Sequence, residues 1–443
     1  MKYISTRGQA EPVSADIAIR SGIAPDGGLY MPENLPHFDI SDFRTAHDIK
    51  AVAKILLPQF FANSPLETHI EDVCASAFSF TLPVITPNPD QPTLKVLELF
   101  HGPTGAFKDF GARFLFRCLD HIADDDNPVT VLAATSGDTG GAVGCAAEEG
   151  RHARAVILFP KGRISAFQEH QLCCWDAPVE ALRVDGDFDD CQALVKAAFA
   201  NQSLVDKHGL TSANSISIGR LLPQMSYWAK AALDQYSQSG IEPGLIIPTG
   251  NLGNAVAALL ARACGLPIGP IILATNTNKT LQDWHASGQY QARPALATIA
   301  NAMDVGAPSN FERLDYLAQA PVHDVVCVDD SAIKARIQQS YETYGYIACP
   351  HTATALEAFD RLENTEKQER PWLVGATAHP GKFADIVEPL IDDQITLPDS
   401  LSEVLKRPVS VRDIKASNEA LAYALSVKFE GQNGPGKGFG MTV

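Results

Sequence analysis

The strongest constraint on this chain is a pattern of runs and breaks that begins at Thr93. Eight short stretches are nearly continuously hydrophobic rather than alternating: TLKVLELF (93–100), VTVLAAT (129–135), ARAVILFP (153–160), VEALRV (179–184), GLIIPTG (244–250), PIILATN (270–276), VVCVDD (325–330) and WLVGATA (372–378). A strand with one wet face alternates, whereas a strand covered on both faces does not. The segments between the runs have helical spacing. In DFDDCQALVKAAFAN, Phe188, Cys191, Leu194, Val195, Ala198 and Phe199 share one face, and Asp187 suits the N-cap. NLGNAVAALLARACGLP predicts a helix that opens at Asn254 and ends at Gly265, before Pro267. Covered strands alternating with helices predict an α/β fold with open, mostly parallel sheets flanked by helices. Ligands of such folds sit at the carboxyl ends of the strands, so the residues just after each run are the ones to weigh.

The segment before the runs reads differently. SGIAPDGGLYMPENLP (21–36) is a turn-rich loop, AHDIKAVAKILLPQFF (46–61) has helical spacing, and TPNPDQP (86–92) has three prolines in seven residues, which suits a linker. At 443 residues more than one domain is expected. The pattern predicts an N-terminal domain over 1–92 and a catalytic region over 93–394. Within that region a small subdomain spans about 110–212, with a large subdomain from the remainder, and 395–443 forms a closing segment and flexible tail.

Lys plus Arg number 35 against 52 Asp plus Glu, a net charge of −17, so a nucleic-acid backbone is a poor partner. No signal-peptide core is evident, and no apolar run reaches the roughly 18 residues of a membrane span. Nine scattered cysteines without a C-x-x-C pair read as free thiols in a reducing cytoplasm, with no metal site. A small anionic ligand is compatible with this charge, because it sees only the local field of its pocket; a monomer or homodimer is the expectation, though the oligomeric state is not readable from the sequence.

Four strand ends carry polar loops: HGPTGAFKDFG after the first run, SGDTGG (136–141) after the second, PTGNLGN (248–254) after the fifth and TAHPGKF (377–383) after the last. In TGNLGN, Gly250 and Gly253 allow a tight turn that would aim backbone N–H groups, and the start of a helix, at a phosphate. The same spacing also fits an ordinary strand-to-helix turn. Lys108 stands among Gly102, Pro103, Gly105 and Gly111. A lysine held beside a phosphate cradle suits pyridoxal 5′-phosphate, whose aldehyde condenses with a lysine amine. A lysine placed by chance near a helix start is the alternative. GQNGPGKG (431–438) fits the start of a P-loop, but Gly438 replaces its Ser or Thr, no strand precedes it and five residues follow. It reads as a tail.

Taken together, the blocks FHGPTGAFKDFGARFL, RGQAEPVSADIAIRSGIAPDGGLYMPE, ATSGDTGGA, NSISIGRL, PTGNLGN, NAMDVGAPSNFER, PHTATA and TAHPGKF resemble the threonine synthases, in the same order, over roughly residues 1–390. The resemblance implies a fold type II pyridoxal-phosphate enzyme, tryptophan synthase β-like with an additional N-terminal subdomain. It implies conversion of O-phospho-L-homoserine and water to L-threonine and phosphate, the last step of threonine biosynthesis. By motif, Lys108 would be the Schiff-base lysine. Gly250, Asn251, Leu252, Gly253 and Asn254 would hold the cofactor phosphate, and Thr377 would face the pyridine nitrogen. Asn214, Arg220, Ser136 and Thr139 would face the substrate, with Arg220 on its phosphate. The implied steps are α-proton removal, β-proton removal, loss of γ-phosphate and addition of water at Cβ.

Two positions depart from the expected pattern. Gly381 stands where alanine is expected, a small backbone effect. Asp138 stands where more distant relatives carry asparagine beside the cofactor's phenolic oxygen, and an ionised aspartate donates no hydrogen bond. Protonation, bonds to backbone amides and orientation of Thr139 are its open roles. His101 suits a cofactor contact or loop support. His351 suits capping or packing, and His379 a structural role. Lys161 and Arg163 suit either substrate attraction or a solvated loop. A dehydratase would need no second anion site, and a mere binding protein would need no Schiff-base lysine.

Overall fold

The computed structural model describes residues 1–430 except 125, 126, 136, 163 and 318–320, with no side-chain detail for 427–430. Ser136, Arg163 and the 431–438 stretch therefore lie outside the described residues. Among the described residues thirteen strands form three sheets. A small antiparallel pair joins β1 (Tyr3–Ser5) to β2 (Tyr30–Pro32). A six-stranded sheet contains β3 (Val84–Ile85), β4 (Leu94–Glu98), β9 (Gly244–Pro248), β10 (Ile271–Thr275), β11 (Asp324–Cys327) and β12 (Trp372–Ala376). A five-stranded sheet contains β5 (Val129–Ala134), β6 (Ala153–Pro160), β7 (Val179–Asp185), β8 (Leu210–Thr211) and β13 (Arg412–Lys415).

The order in the larger sheet is β11-β10-β9-β12-β4-β3, parallel except for β3. The smaller runs β13-β7-β6-β5-β8, all parallel. All eight apolar runs are strands, and four of the seven interior ones, β5, β9, β10 and β12, are buried at every residue. Two mostly parallel open sheets are thus the architecture, as the lack of alternation predicts. The runs end earlier than their sequences suggest where a polar residue has other work. In VVCVDD the strand stops at Cys327, because the Asp329 carboxylate caps the helix Asp330–Tyr344 by accepting from Ala332 N at 2.9 Å.

The helix Phe188–Ala200 is capped as expected: Asp187 and Asp190 exchange bonds to each other's backbone N–H. Cys191, Leu194, Val195 and Ala198 are buried on its inner face. The helix after β9 spans Gly253–Ala263, opening one residue before the expected Asn254, and Gly265 beyond it sits at φ +93°. TPNPDQP joins β3 to β4, which pair antiparallel. Residues of the N-terminal segment share one apolar core with the parallel-sheet region. Phe61 meets Phe114 at 5.9 Å between ring centres, and Phe78 meets Phe110 at 6.0 Å. Among the described residues no helix is long and apolar enough to cross a membrane, and none of the cysteines is in a disulfide.

Candidate active site

Strand order alone brings three of the four polar loops together, because β9, β12 and β4 are consecutive neighbours in the larger sheet. The loops after β4 and β12 are stitched backbone to backbone. Phe107 N donates to Thr377 O and His379 N to Gly105 O, each at 2.9 Å, with Ala106 bridged to Ala378. Gly105 takes φ +67°, a turn that an L side chain resists. Gly102 is needed for a different reason: a Cβ there would lie 2.3 Å from Asp109 Oδ2. Asp109 is buried and accepts from Thr104 N at 2.9 Å and Thr104 Oγ1 at 2.6 Å, which fixes the turn that presents Lys108. Burial pushes its carboxyl up to about 6, against the pull of those two bonds.

Lys108 is the first residue of the helix Lys108–Ile122, and its side chain is largely buried. Its ammonium lies 3.9 Å from Asp138 Oδ2, the first residue of the helix Asp138–Glu148 in the other sheet's layer. Desolvation lowers the pKa of Lys108; the Asp138 charge opposes that, while Arg220 and Lys382 add to it. Asp138 itself is buried, with Lys382 Nζ 3.0 Å from its Oδ1. Burial alone would raise its pKa, but Lys382 and then Lys108 outweigh burial and hold it well below the usual carboxylate range. The geometry sets the Asp138 carboxylate between two lysines, a role outside the three left open by the sequence, and their charges favour its ionised form.

The 250–254 loop has the properties of an anion cradle. The N–H groups of Gly250, Asn251, Leu252, Gly253 and Asn254 have no hydrogen-bond partner in the chain among the described residues. A Cβ on Gly253 would meet nothing nearer than 3.8 Å, so the backbone there faces open space. The side chains hold the loop from behind. Asn254 Oδ1 accepts from Thr249 Oγ1 at 2.9 Å, and its Nδ2 donates to Pro248 O at 2.9 Å. Asn251 bonds Ser215 Oγ and Ser309 N. Leu252, buried, takes φ +65° to make the turn. These free donors at the start of an 11-residue helix fit a phosphate group.

Arg220 is the site's isolated cation. It is 3% exposed, its Nη1 donates to Ala213 O, and its Nε has no partner among the described residues. Desolvation pulls its pKa down to about 10, and no carboxylate offsets that. It is brought to the Lys108 helix by close packing, since a Cβ on Gly111 would lie 2.7 Å from Arg220 O. Asn214 lies half-buried on the same stretch, its N–H bonded to Ser212 Oγ at 3.1 Å. Thr139 is half-buried at the second position of its helix, and Thr377 is 6% exposed beside the Lys108 turn.

The three histidines are occupied. His101 Nε2 lies 2.7 Å from Glu98 Oε2, and His379 Nδ1 accepts from Gly381 N at 3.1 Å. His351 Nε2 accepts from Ala302 N at 3.1 Å, and burial holds this ring neutral with a pKa of about 4. Lys161 is exposed. Gly381 has a physical reason: a Cβ there would lie 2.3 Å from Leu397 Cδ2, so Leu397 occupies the space an alanine would need. Sequence reading missed Asp109 and Lys382. Lys382 is wholly buried, donating to Thr104 O at 2.8 Å and Gln171 Oε1 at 2.6 Å besides facing Asp138. Its only signal was its place in the same loop as Thr377.

Comparison with known proteins agrees with this arrangement along the whole chain. Residues 2–78 match the family described as threonine synthase N terminus, 81–377 pyridoxal-phosphate dependent enzyme, and 352–424 threonine synthase, C-terminal. The threonine synthase of Serratia marcescens is 38% identical over 425 residues, covering 94% of this chain and 97% of that protein. The crystal structure of threonine synthase from Escherichia coli superimposes with a TM-score of 0.87 at 37% identity, covering 97% of this chain and 100% of that one. The pyridoxal-phosphate-bound threonine synthase of Brucella melitensis gives 0.88 at 31%, covering 96% and 98%. With a lysine at a strand-end turn, a loop of free backbone donors and a buried guanidinium set in that shared fold, the chain belongs to the threonine synthase family of pyridoxal-phosphate dependent enzymes.

Proposed function

We propose that the reaction of this family, conversion of O-phospho-L-homoserine and water to L-threonine and phosphate, is divided here among a cofactor lysine, two anion sites and a ring of positioning residues. The single observation that supports this division is that two groups of donors are left over among the described residues, the N–H groups of 250–254 and the Nε of the buried Arg220, which suits two anions. A pyridoxal-phosphate enzyme acting on an unphosphorylated amino acid needs only the first. Bound pyridoxal phosphate supplies an electron sink that makes protons on the substrate carbons removable.

Lys108 would be the cofactor lysine and, with its amine free, would carry protons at Nζ. Desolvation favours its neutral, basic form. The 250–254 amides would hold the cofactor phosphate, and the Thr377 hydroxyl would face the ring nitrogen. A hydroxyl there does not protonate that nitrogen as a carboxylate would. Arg220 holds the substrate phosphate and, by forked hydrogen bonds, stabilises it as it leaves, at on the order of 3 kcal/mol for a well-placed donor. Asn214, Thr139 and Ser136 orient the substrate. The composition and buried free thiols suit the cytoplasm.

The test is turnover of O-phospho-L-homoserine by purified protein with pyridoxal phosphate, with products identified together. Threonine and phosphate in equal amounts are expected. Cofactor bound without turnover, or phosphate accompanied by homoserine, would overturn the reading.

A further inference from the structure

Lys382 is buried at the centre of the site, yet no step of the reaction uses it. Its ammonium cannot move freely. It donates to Thr104 O at 2.8 Å and Gln171 Oε1 at 2.6 Å, and lies 3.0 Å from Asp138 Oδ1. Its backbone N–H is engaged with His379 O at 3.1 Å. The other oxygen of Asp138 faces Lys108 Nζ at 3.9 Å. One buried carboxylate therefore bridges two lysines of different character. Lys108 gains and loses protons in its proposed role, whereas Lys382 is held by two hydrogen-bond acceptors and the Asp138 charge.

Whenever Lys108 is neutral, Asp138 without Lys382 would be a buried carboxylate with no cation, and such a group takes up a proton. The proton would come from the supply that Lys108 has to carry. We propose that Lys382 is a positioning residue, the permanent counter-ion of Asp138, which keeps Asp138 ionised beside Lys108 in either protonation state so that Asp138 does not compete for the travelling proton.

Among the described residues no other group takes that part. Asp138 also faces His351, from the helix Pro350–Asp360, but that ring is neutral and bonded to Ala302. Lys108 faces Arg220, Lys382 and the buried thiol of Cys349 besides Asp138; Arg220 carries a fixed charge, and burial pushes the thiol up. Asp109 lies in the field of Lys382 but is bonded to Thr104.

The proposal rests on Lys108 being the cofactor lysine. Its test is the pH titration of the visible absorption band of the cofactor-loaded protein, which reports the proton on the Lys108 nitrogen. Wild type is expected to show one inflection. Lys382→Met is expected to show a second, from the Asp138 carboxyl, and Lys382→Met with Asp138→Asn is expected to lose it again. Asp138→Asn alone, which leaves Lys382 its bonds to Thr104 and Gln171, is expected to lower the midpoint by about one pH unit or more, because the protonated nitrogen has lost its carboxylate. A single unchanged inflection in Lys382→Met, or a second one that persists in the double variant, overturns the proposal. If melting shows that Lys382→Met does not fold, Asp138→Asn decides: an unmoved midpoint overturns it and a lowered one sustains it. Lys108→Ala separates the two claims. A band that survives it overturns the lysine assignment together with the proposal, whereas a lost band with an unchanged Lys382→Met titration overturns the proposal alone.

Discussion

Arg220 illustrates how a functional residue can be recognised by what it lacks. A buried guanidinium without an acid costs folding energy, and it persists only where an anion arrives later. Arg220→Met keeps the bulk and removes the charge. Its melting temperature should equal or exceed that of the wild type, while turnover falls about 100-fold or more. Turnover within a few-fold of wild type would show that the phosphate binds elsewhere. The Lys108 turn and the 250–254 loop stood out in the sequence by their glycine spacing, and Arg220 only through the family resemblance. Lys382 and Asp109 did not stand out. A lysine in TAHPGKF and an acid in FKD look solvated on paper. Only tertiary packing sets one wholly inside the site and ties the other to Thr104.

Among the elements, the turn before the Lys108 helix and the start of the helix Pro350–Asp360 make separate predictions. Gly102→Ala would drive a methyl into the Asp109 carboxylate. A loss of about 1–3 kcal/mol and of cofactor binding is expected by urea unfolding and absorbance; unchanged stability would mean that the turn yields. His351 has a folded-state pKa of about 4, below its ordinary 6.5, so the unfolded chain takes up a proton first as pH falls. Its contribution is complete above pH 6.5 and is lost as pH falls toward 4, about 3 kcal/mol in all. Between pH 7 and pH 5 the wild type should therefore lose roughly 2 kcal/mol more stability than His351→Gln; equal losses would contradict a neutral buried ring. The eight long strands were legible because burial on both faces leaves an unbroken apolar run. β3 and β8 have two residues each, too few for any period, and β13, an edge strand reading RDIK, carries the charges that guard an edge.

In the whole molecule, the N-terminal segment is built into the same core as the parallel strands, through Phe60, Phe61 and Phe78 against Phe110 and Phe114. Scanning calorimetry should show no separate transition for residues 1–78, and an independent early melt would contradict a shared core. The buried Arg313 extends this coupling to the anion cradle. Its guanidinium donates to Tyr30 O at 2.9 Å and to Asn310 Oδ1 at 2.7 Å, and Asn310 Nδ2 donates to Asn251 O at 2.9 Å. The fold thus ties the N-terminal segment to one end of a site whose central claim is chemical: the substrate loses its phosphate by carbon–oxygen cleavage, and water enters at the neighbouring carbon. The most direct measurement is the reaction run in heavy-oxygen water, with both products analysed by mass. The account predicts label in the hydroxyl of threonine and none in phosphate during the first turnovers. Label in phosphate, with homoserine as the organic product, would show hydrolysis at phosphorus and contradict it.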